Sequence, residues 1–130
     1  MNKIWGYSLH ITLQNCNPQK IRDEKYIAQS FEDIVKQVKM TPYGKTQAIR
    51  FGKDPEIVGY SAILFLEESN LTGHFVDYDN SGHIDLFSCK FFETEETVSF
   101  IKNIFNSNNA SYCFMKRGYE IEIVKTENNI

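Results

Sequence analysis

Three features are missing from this sequence: paired cysteines, a block of basic residues and a long apolar run. The three cysteines, Cys16, Cys89 and Cys113, are odd in number and include no Cys-x-x-Cys pair, so neither a disulfide framework nor a cysteine zinc site is expected. The net charge is −3 and no basic block exists, which argues against nucleic acid or an anionic membrane as the partner. No run approaches the roughly 20 apolar residues that span a bilayer, and no secretory signal opens the chain. We therefore expect a cytoplasmic protein with reduced thiols and no metal.

Apolar and aromatic residues are plentiful by contrast. The chain has 130 residues, of which 42% are hydrophobic, with ten Phe and seven Tyr. This length suits one domain with one core, and the aromatic side chains let so short a chain bury a sizeable core. We expect a single domain over residues 1–130.

The apolar spacing predicts the element order β-α-β-β-β-β-α-β. Residues 4–13 alternate with a period of two, as in a strand, and the apolar positions of residues 19–40 step as on one amphipathic helix. Further strands are predicted at 45–51, 57–66, 71–76 and 84–91, a second helix at 94–106, a strand pair or long strand at 111–124, and a frayed tail. This order predicts an α+β fold, a two-layer sandwich with two helices on one face of a mostly antiparallel sheet. The other face is then available for an oligomer interface.

One polar stretch interrupts the apolar strand sequence. Glu67, Glu68, Ser69 and Asn70 lie between the runs 57–66 and 71–76, where a continuous strand would carry apolar residues. Such a break is either a tight surface turn or a site, and the pattern alone favours the turn.

The spacing of four side chains around this break resembles that of a known family. Ser61 precedes Ser69 by eight residues, His74 follows it by five and Cys89 by twenty, within the stretch Asp85-Leu86-Phe87-Ser88-Cys89. Together with Glu68-Ser69, this spacing resembles the short prokaryotic S-adenosylmethionine decarboxylases, which are made as self-cleaving proenzymes. The likeness runs from about residue 4 to residue 105 and includes Gly6-Tyr7-Ser8-Leu9-His10.

The resemblance implies a cofactor made from the chain itself. A decarboxylase needs an electron sink that no side chain supplies, and in this family the chain cleaves between residues 68 and 69 so that Ser69 becomes a pyruvoyl group. Glu68 then carries the attacked carbonyl, and His74 removes the Ser69 α-proton. Ser61 donates a hydrogen bond to the strained carbonyl, and Cys89 returns a proton to the substrate.

The same resemblance implies the substrate and the assembly. Phe51 matches a position that stacks on adenine, although a core role for it is equally open. The family's acidic ribose ligand falls at Tyr78 here, so Asp77 could replace it only after a register change. Active sites of the family form between two protomers, which implies a homodimer of cleaved chains that decarboxylates S-adenosylmethionine for polyamine (spermidine) synthesis.

Two alternatives remain open at this point. The departures at Asn70, Asp77 and Tyr78 leave room for a pyruvoyl-dependent decarboxylase of arginine or ornithine. A non-catalytic binding relative that never cleaves is the other alternative, and the joint retention of Ser61, Ser69, His74 and Cys89 argues against it. Four remaining residues are interpreted as structural: Cys16, Cys113, His10 and His83.

Overall fold

The computed structural model describes residues 3–130, which form seven strands and three helices. The strands are β1 (Ile4–Gln14), β2 (Pro42–Phe51), β3 (Gly59–Leu66), β4 (Ser69–Val76), β5 (Ser81–Ser88), β6 (Asn109–Gly118) and β7 (Ile121–Glu127). They make one sheet in the order β2-β3-β4-β5-β1-β6-β7, and every neighbouring pair is antiparallel. The predicted α+β sandwich is confirmed, and the segment 111–124 is a hairpin rather than one long strand.

The helices are α1 (Pro18–Ile21), α2 (Glu24–Gln37) and α3 (Thr94–Ile104). The prediction of one helix over residues 19–40 was wrong because Asp23 begins a new helix inside it. The Asp23 carboxylate accepts hydrogen bonds from the backbone N–H groups of Lys25 and Tyr26 at 3.0 and 3.1 Å, which is an N-cap. The first helix starts as predicted, with Asn17 capping it and Pro18 in its first turn. No helix within residues 3–130 is long and apolar enough to cross a membrane.

The core lies between the helices and one face of the sheet. Three fully buried rings, Phe31 from α2, Phe75 from β4 and Phe105 after α3, form its centre, and the centroids of Phe75 and Phe105 are 4.9 Å apart. Gly73 makes room for this packing, because a Cβ atom there would lie 3.0 Å from Cζ of Phe31. The chain end also packs: Ile130 and Ala110 exchange two backbone hydrogen bonds of 2.9 Å, so the predicted fraying of the tail was wrong.

The other face of the sheet carries no helix, and we call it the open face. Strand alternation and the cross-strand register assign its side chains. They are Ser8, His10 and Thr12 of β1, Ser61, Ile63 and Phe65 of β3, Asn70, Thr72 and His74 of β4, His83, Asp85 and Phe87 of β5, and Ser111, Cys113 and Met115 of β6. The face is therefore mixed: β3, β5 and β6 carry an apolar side chain at one end and a polar one at the other, whereas β1 and β4 contribute polar side chains throughout.

Strands β3 and β4 form a hairpin whose connection is the predicted polar break. Only Glu67 and Glu68 lie outside the two strands, because Ser69 already begins β4. The strand predicted to resume at residue 71 thus starts two residues earlier, which places Ser69 at the end of a strand rather than in a loop.

Candidate active site

The peptide bond between Glu68 and Ser69 lies at the entrance to β4. The carbonyl oxygen of Glu68 accepts a hydrogen bond from the backbone N–H of Cys89 at 2.9 Å, and Ser69 lies opposite buried Ser88 in the ladder. A hydrogen bond to a carbonyl oxygen draws electrons from its carbon and favours attack there. The structure thus brings Cys89 next to the bond that the sequence predicts to be cleaved.

A second anchor holds this turn from the side of β2. The backbone N–H of Thr41 donates to the Glu68 carboxylate at 2.9 Å, and the Thr41 carbonyl accepts from the Glu67 N–H at 2.9 Å. The sequence did not predict this contact of Thr41, because Thr41 lies 27 residues from Glu68 and only the fold brings the two together. With Cys89 and Thr41 on either side, the conformation of the 68–69 peptide is fixed.

Ser61 and His74 form a separate hydrogen-bonded pair. They face each other across β3 and β4, with Ser61 Oγ 2.7 Å from His74 Nδ1 and His74 Nε2 2.8 Å from the carbonyl oxygen of Ile57. A carbonyl only accepts, so Nε2 carries the proton, and in the neutral ring Nδ1 then accepts from the Ser61 hydroxyl. His74 is thus held by a third group, the Ile57 carbonyl, in the orientation that leaves Nδ1 as the acceptor.

The two pairs lie at opposite ends of β4. Ser69 is the first residue of the strand and His74 the sixth, so a rise of about 3.3 Å per residue separates their Cα atoms by roughly 16 Å. Side chains of one chain do not bridge this distance. The residues predicted as one catalytic set are therefore two half-sites: Glu68, Ser69 and Cys89 at one end, Ser61 and His74 at the other.

Phe51 lies near the Ser61–His74 half-site and outside the core. It ends β2 opposite Gly59, which is two residues along β3 from Ser61, and the residue is 58% exposed. The alternative role of Phe51 as a core residue therefore does not apply to the single chain, and its stacking role stays a prediction.

Asp77 and Tyr78 follow β4 and differ sharply in environment. The Asp77 carboxylate is only 13% exposed and lies 2.6 Å from Nη2 of Arg50 and 3.6 Å from Nε of Arg22, whereas Tyr78 is 67% exposed. A ribose hydroxyl would have to compete with both guanidinium groups for this carboxylate. No pattern in the sequence links Arg22 and Arg50 to Asp77, so these two contacts were not predicted.

The remaining histidines each contact a neighbouring polar side chain, and the cysteines differ in burial. His10 Nδ1 lies 2.7 Å from the Asp85 carboxylate, and His83 Nε2 lies 3.1 Å from Ser81 Oγ. Burial raises the pKa of the Cys16 thiol to about 12, so this cysteine is unreactive near neutral pH, whereas Cys89 is exposed. Within the described part of the chain, no three His, Cys, Asp or Glu side chains are grouped as metal ligands.

Comparison with known proteins shows the family to which the chain belongs. The fold aligns with the crystal structure of the adenosylmethionine decarboxylase from Aquifex aeolicus VF5, with a TM-score of 0.73 and 19% identity over 98% of this chain and 99% of that one. A family model described as S-adenosylmethionine decarboxylase matches residues 7–118. The chain belongs to the S-adenosylmethionine decarboxylase family.

Individual relatives agree with this assignment. The chain is 30% identical over 102 residues to the S-adenosylmethionine decarboxylase proenzymes of Clostridium botulinum strains Langeland and Okra. Each alignment covers 77% of this chain and 83% of the relative. The aligned part is long enough to include most of the sheet and both half-sites.

Proposed function

We propose that the chain is a proenzyme that cleaves itself between Glu68 and Ser69 and then decarboxylates S-adenosylmethionine in polyamine (spermidine) synthesis. The observation that carries the proposal is the hydrogen bond from Cys89 N–H to the Glu68 carbonyl oxygen, at the peptide bond that the family resemblance predicts to break. Membership of the family supplies the reaction, and the relatives named as proenzymes support the self-cleavage.

Cleavage begins with a shift of the acyl group from nitrogen to oxygen. Ser69 Oγ attacks the carbonyl carbon of Glu68, the C–N bond breaks, and an ester and a free amine result. Loss of the Ser69 α-proton then breaks the Cβ–O bond and releases the Glu68 carboxylate. The dehydroalanine left at position 69 takes up water, loses ammonia and becomes the pyruvoyl group.

The base for the α-proton is His74 of a second chain. Within one chain, Ser69 and His74 are roughly 16 Å apart along β4, and each half-site lacks what the other holds. A homodimer resolves this, because each protomer can offer its Ser61–His74 pair to the partner's Glu68–Ser69 bond. The proposed site therefore contains Glu68, Ser69 and Cys89 of one protomer and Ser61 and His74 of its partner.

The open face suits such a dimer. Phe65 is 50% exposed on the single chain, and Ile123 of β7, which lies opposite Met115 and so on the same face, is 63% exposed. A second sheet packed about 10 Å away would cover both. A twofold axis between the sheets and perpendicular to the strands reverses the partner's strand direction. The Ser69 end of one β4 then lies over the His74 end of the other, which is the arrangement that the chemistry needs.

After cleavage, the chain's own residues bind the substrate and manage its protons. The pyruvoyl group supplies a carbonyl that withdraws electrons from the substrate as carbon dioxide leaves. Cys89, exposed beside position 69, returns a proton to the substrate α-carbon. Phe51 offers an exposed ring for the adenine. The thiol of Cys89 must stay reduced for this role, which fits the cytoplasm.

A second candidate function keeps the pyruvoyl chemistry with another substrate. The Asp77 carboxylate is held by Arg22 and Arg50, and Tyr78 occupies the position at which the family resemblance predicts an acidic ribose ligand. This observation favours an amino acid without a ribose, such as arginine or ornithine.

Intact mass spectrometry of the purified protein, with and without a hydrazine that traps carbonyl groups, tests the proposal. Two fragments that meet between residues 68 and 69, the second short of ammonia and shifted by the hydrazine, are expected. Release of carbon dioxide from S-adenosylmethionine, arginine and ornithine then identifies the substrate. A single unshifted mass of the full chain would contradict the proposal and favour a non-catalytic relative.

A further inference from the structure

We infer that Asp77 is a positioning residue, clamped by Arg22 and Arg50, that holds the carbonyl of Ile57 against His74. The inference rests on the proposed function, since it concerns the base used in self-cleavage. It also replaces the earlier expectation for Asp77, which was contact with the ribose of the substrate.

The clamp joins three parts of the chain that are distant in sequence. Arg50 at the end of β2 lies 2.6 Å from Oδ2 of Asp77. Arg22, between α1 and α2, lies 3.6 Å from Oδ1 and donates a hydrogen bond of 2.7 Å to the Asp77 carbonyl. Oδ1 is buried and has no hydrogen-bond partner among residues 3–130, so the two arginines provide its compensation. The two arginines therefore fix the position of the Asp77 carboxylate at the end of β4.

The backbone of Asp77 also contacts the loop of residues 52–58, which joins β2 to β3. The backbone N–H of Asp77 donates to the carbonyl of Val58 at 3.0 Å. Next to it, a Cβ atom on Gly59 would lie 1.7 Å from the carbonyl oxygen of Phe75, so only glycine permits this approach of the two strands. Val58 follows Ile57 directly, and the position of the Ile57 carbonyl is thus tied to that of Asp77.

The loop itself is closed by hydrogen bonds to Asp54. The carbonyl of Asp54 accepts hydrogen bonds from the N–H groups of Ile57 and Val58 at 3.0 and 3.1 Å. Its carboxylate accepts one from the N–H of Glu56 at 2.9 Å. The Asp77–Val58 hydrogen bond therefore places the loop as a unit against β4.

The position of the Ile57 carbonyl matters for the chemistry because it decides which ring nitrogen of His74 is the base. While Nε2 donates to this carbonyl, Nδ1 is left to accept a proton through Ser61. If the loop shifts, the proton can move to Nδ1, and the ring then donates to Ser61 and cannot accept. Displacement by about 1 Å is enough to slow a proton transfer strongly.

As a clamp, Asp77 would act during self-cleavage, whereas as a ribose ligand it would act only when substrate binds. An experiment that measures both stages therefore distinguishes the two roles. Self-cleavage precedes substrate binding, so a ribose ligand has no influence on it. We would measure the rate of self-cleavage by intact mass, and then KM and kcat of the cleaved enzyme, for Asp77→Asn, Arg50→Ala and Arg50→Lys. Glu56→Gln is the matched control, since it removes a carboxylate from the same loop whose side chain makes no polar contact within the described residues.

We expect Asp77→Asn and Arg50→Ala to cleave about tenfold more slowly, with Arg50→Lys partly restored and Glu56→Gln unchanged. In the uncleaved Ser69→Ala background, ¹⁵N spectra of the His74 ring should change from one tautomer, protonated at Nε2, to a mixture on adding Asp77→Asn.

Normal cleavage with a raised KM would overturn the inference and restore the ribose role. An unchanged tautomer would also overturn it. Arg50 is half exposed, so its variants keep the test valid if Asp77→Asn does not fold. Absence of cleavage in the unmutated chain would count against the proposed function alone, because the ring spectra still read the clamp.

Discussion

The backbone N–H of Cys89 donates a hydrogen bond of 2.9 Å to the carbonyl oxygen of Glu68. This contact separates two roles of Cys89 that its position in the sequence cannot distinguish. In the proposed function, the main chain polarises the bond that is cleaved, while the exposed thiol stays free for the later reaction with substrate. Substitution of the side chain should therefore affect only the second role.

Cys89→Ala should cleave at the rate of the unmutated chain and then decarboxylate poorly. Alanine retains the N–H that reaches Glu68, so the polarised carbonyl is kept, but no group remains to return a proton to the substrate. Intact mass gives the rate of cleavage, and release of carbon dioxide gives the turnover. Turnover at the original rate would show that the thiol has no part in the reaction.

The Glu68 side chain should matter for cleavage through Thr41. Removing it in Glu68→Ala loses a hydrogen bond to a carboxylate, and we expect about tenfold slower cleavage, equivalent to ~1.4 kcal/mol. Glu68→Gln retains an oxygen that can accept from the Thr41 N–H and should cleave almost normally. Both are followed by intact mass.

Glu67→Ala is the matched control for this pair. Its exposed side chain makes no polar contact in the part of the chain that the structure describes, whereas its backbone N–H bond to Thr41 survives the substitution. If Glu68→Ala and Glu67→Ala cleave equally fast, the carboxylate of Glu68 does not hold the turn.

Thiol labelling at different pH values should distinguish Cys16 from Cys89. Burial raises the pKa of the Cys16 thiol from 9.0 to about 12, so it forms almost no thiolate at pH 7 to about 10. After cleavage the fragment 1–68 contains only Cys16, and it should stay unlabelled by iodoacetamide while the fragment 69–130 reacts. Adding denaturant should bring the label onto fragment 1–68.

The same shift makes stability depend on alkaline pH. The unfolded chain releases the Cys16 proton near 9.0 and the folded chain near 12. The folded state thus holds more protons between these values, and the free energy of unfolding should fall as the pH rises through them. Equal labelling of both native fragments at pH 8 would contradict the burial on which this prediction depends.

The sequence predicts the sheet better than the helices. Alternation over residues 4–13 identified β1, and the break at residues 67–70 marked the connection of a hairpin, although only Glu67 and Glu68 lie outside its strands. The apolar stepping of residues 19–40 concealed a helix boundary, because Asp23 caps α2 through contacts that apolar periodicity does not register. Helix caps depend on one side chain, whereas strands repeat their signal over many residues.

For the site, the sequence predicts the residues but not their arrangement. The five-residue step from Ser69 to His74 suggests proximity, yet in an extended strand it separates their Cα atoms by roughly 16 Å. Contacts such as Arg22 with Asp77, 55 residues apart, depend on the path of the whole chain and leave no local pattern.

Co-expression of Ser69→Ala with His74→Ala tests whether the serine and the base of one site come from two different chains. Alone, Ser69→Ala cannot cleave, and His74→Ala should stall before cleavage or as an ester that hydroxylamine splits. In a mixed dimer, the His74→Ala chain offers its own Ser69 to the intact His74 of the Ser69→Ala chain. We expect intact mass to show the His74→Ala chain cleaved between residues 68 and 69 in the mixture, with the Ser69→Ala chain whole. If neither chain is cleaved in mixed dimers while the unmutated protein is, the base and the serine act within one chain and the proposed two-chain site is contradicted.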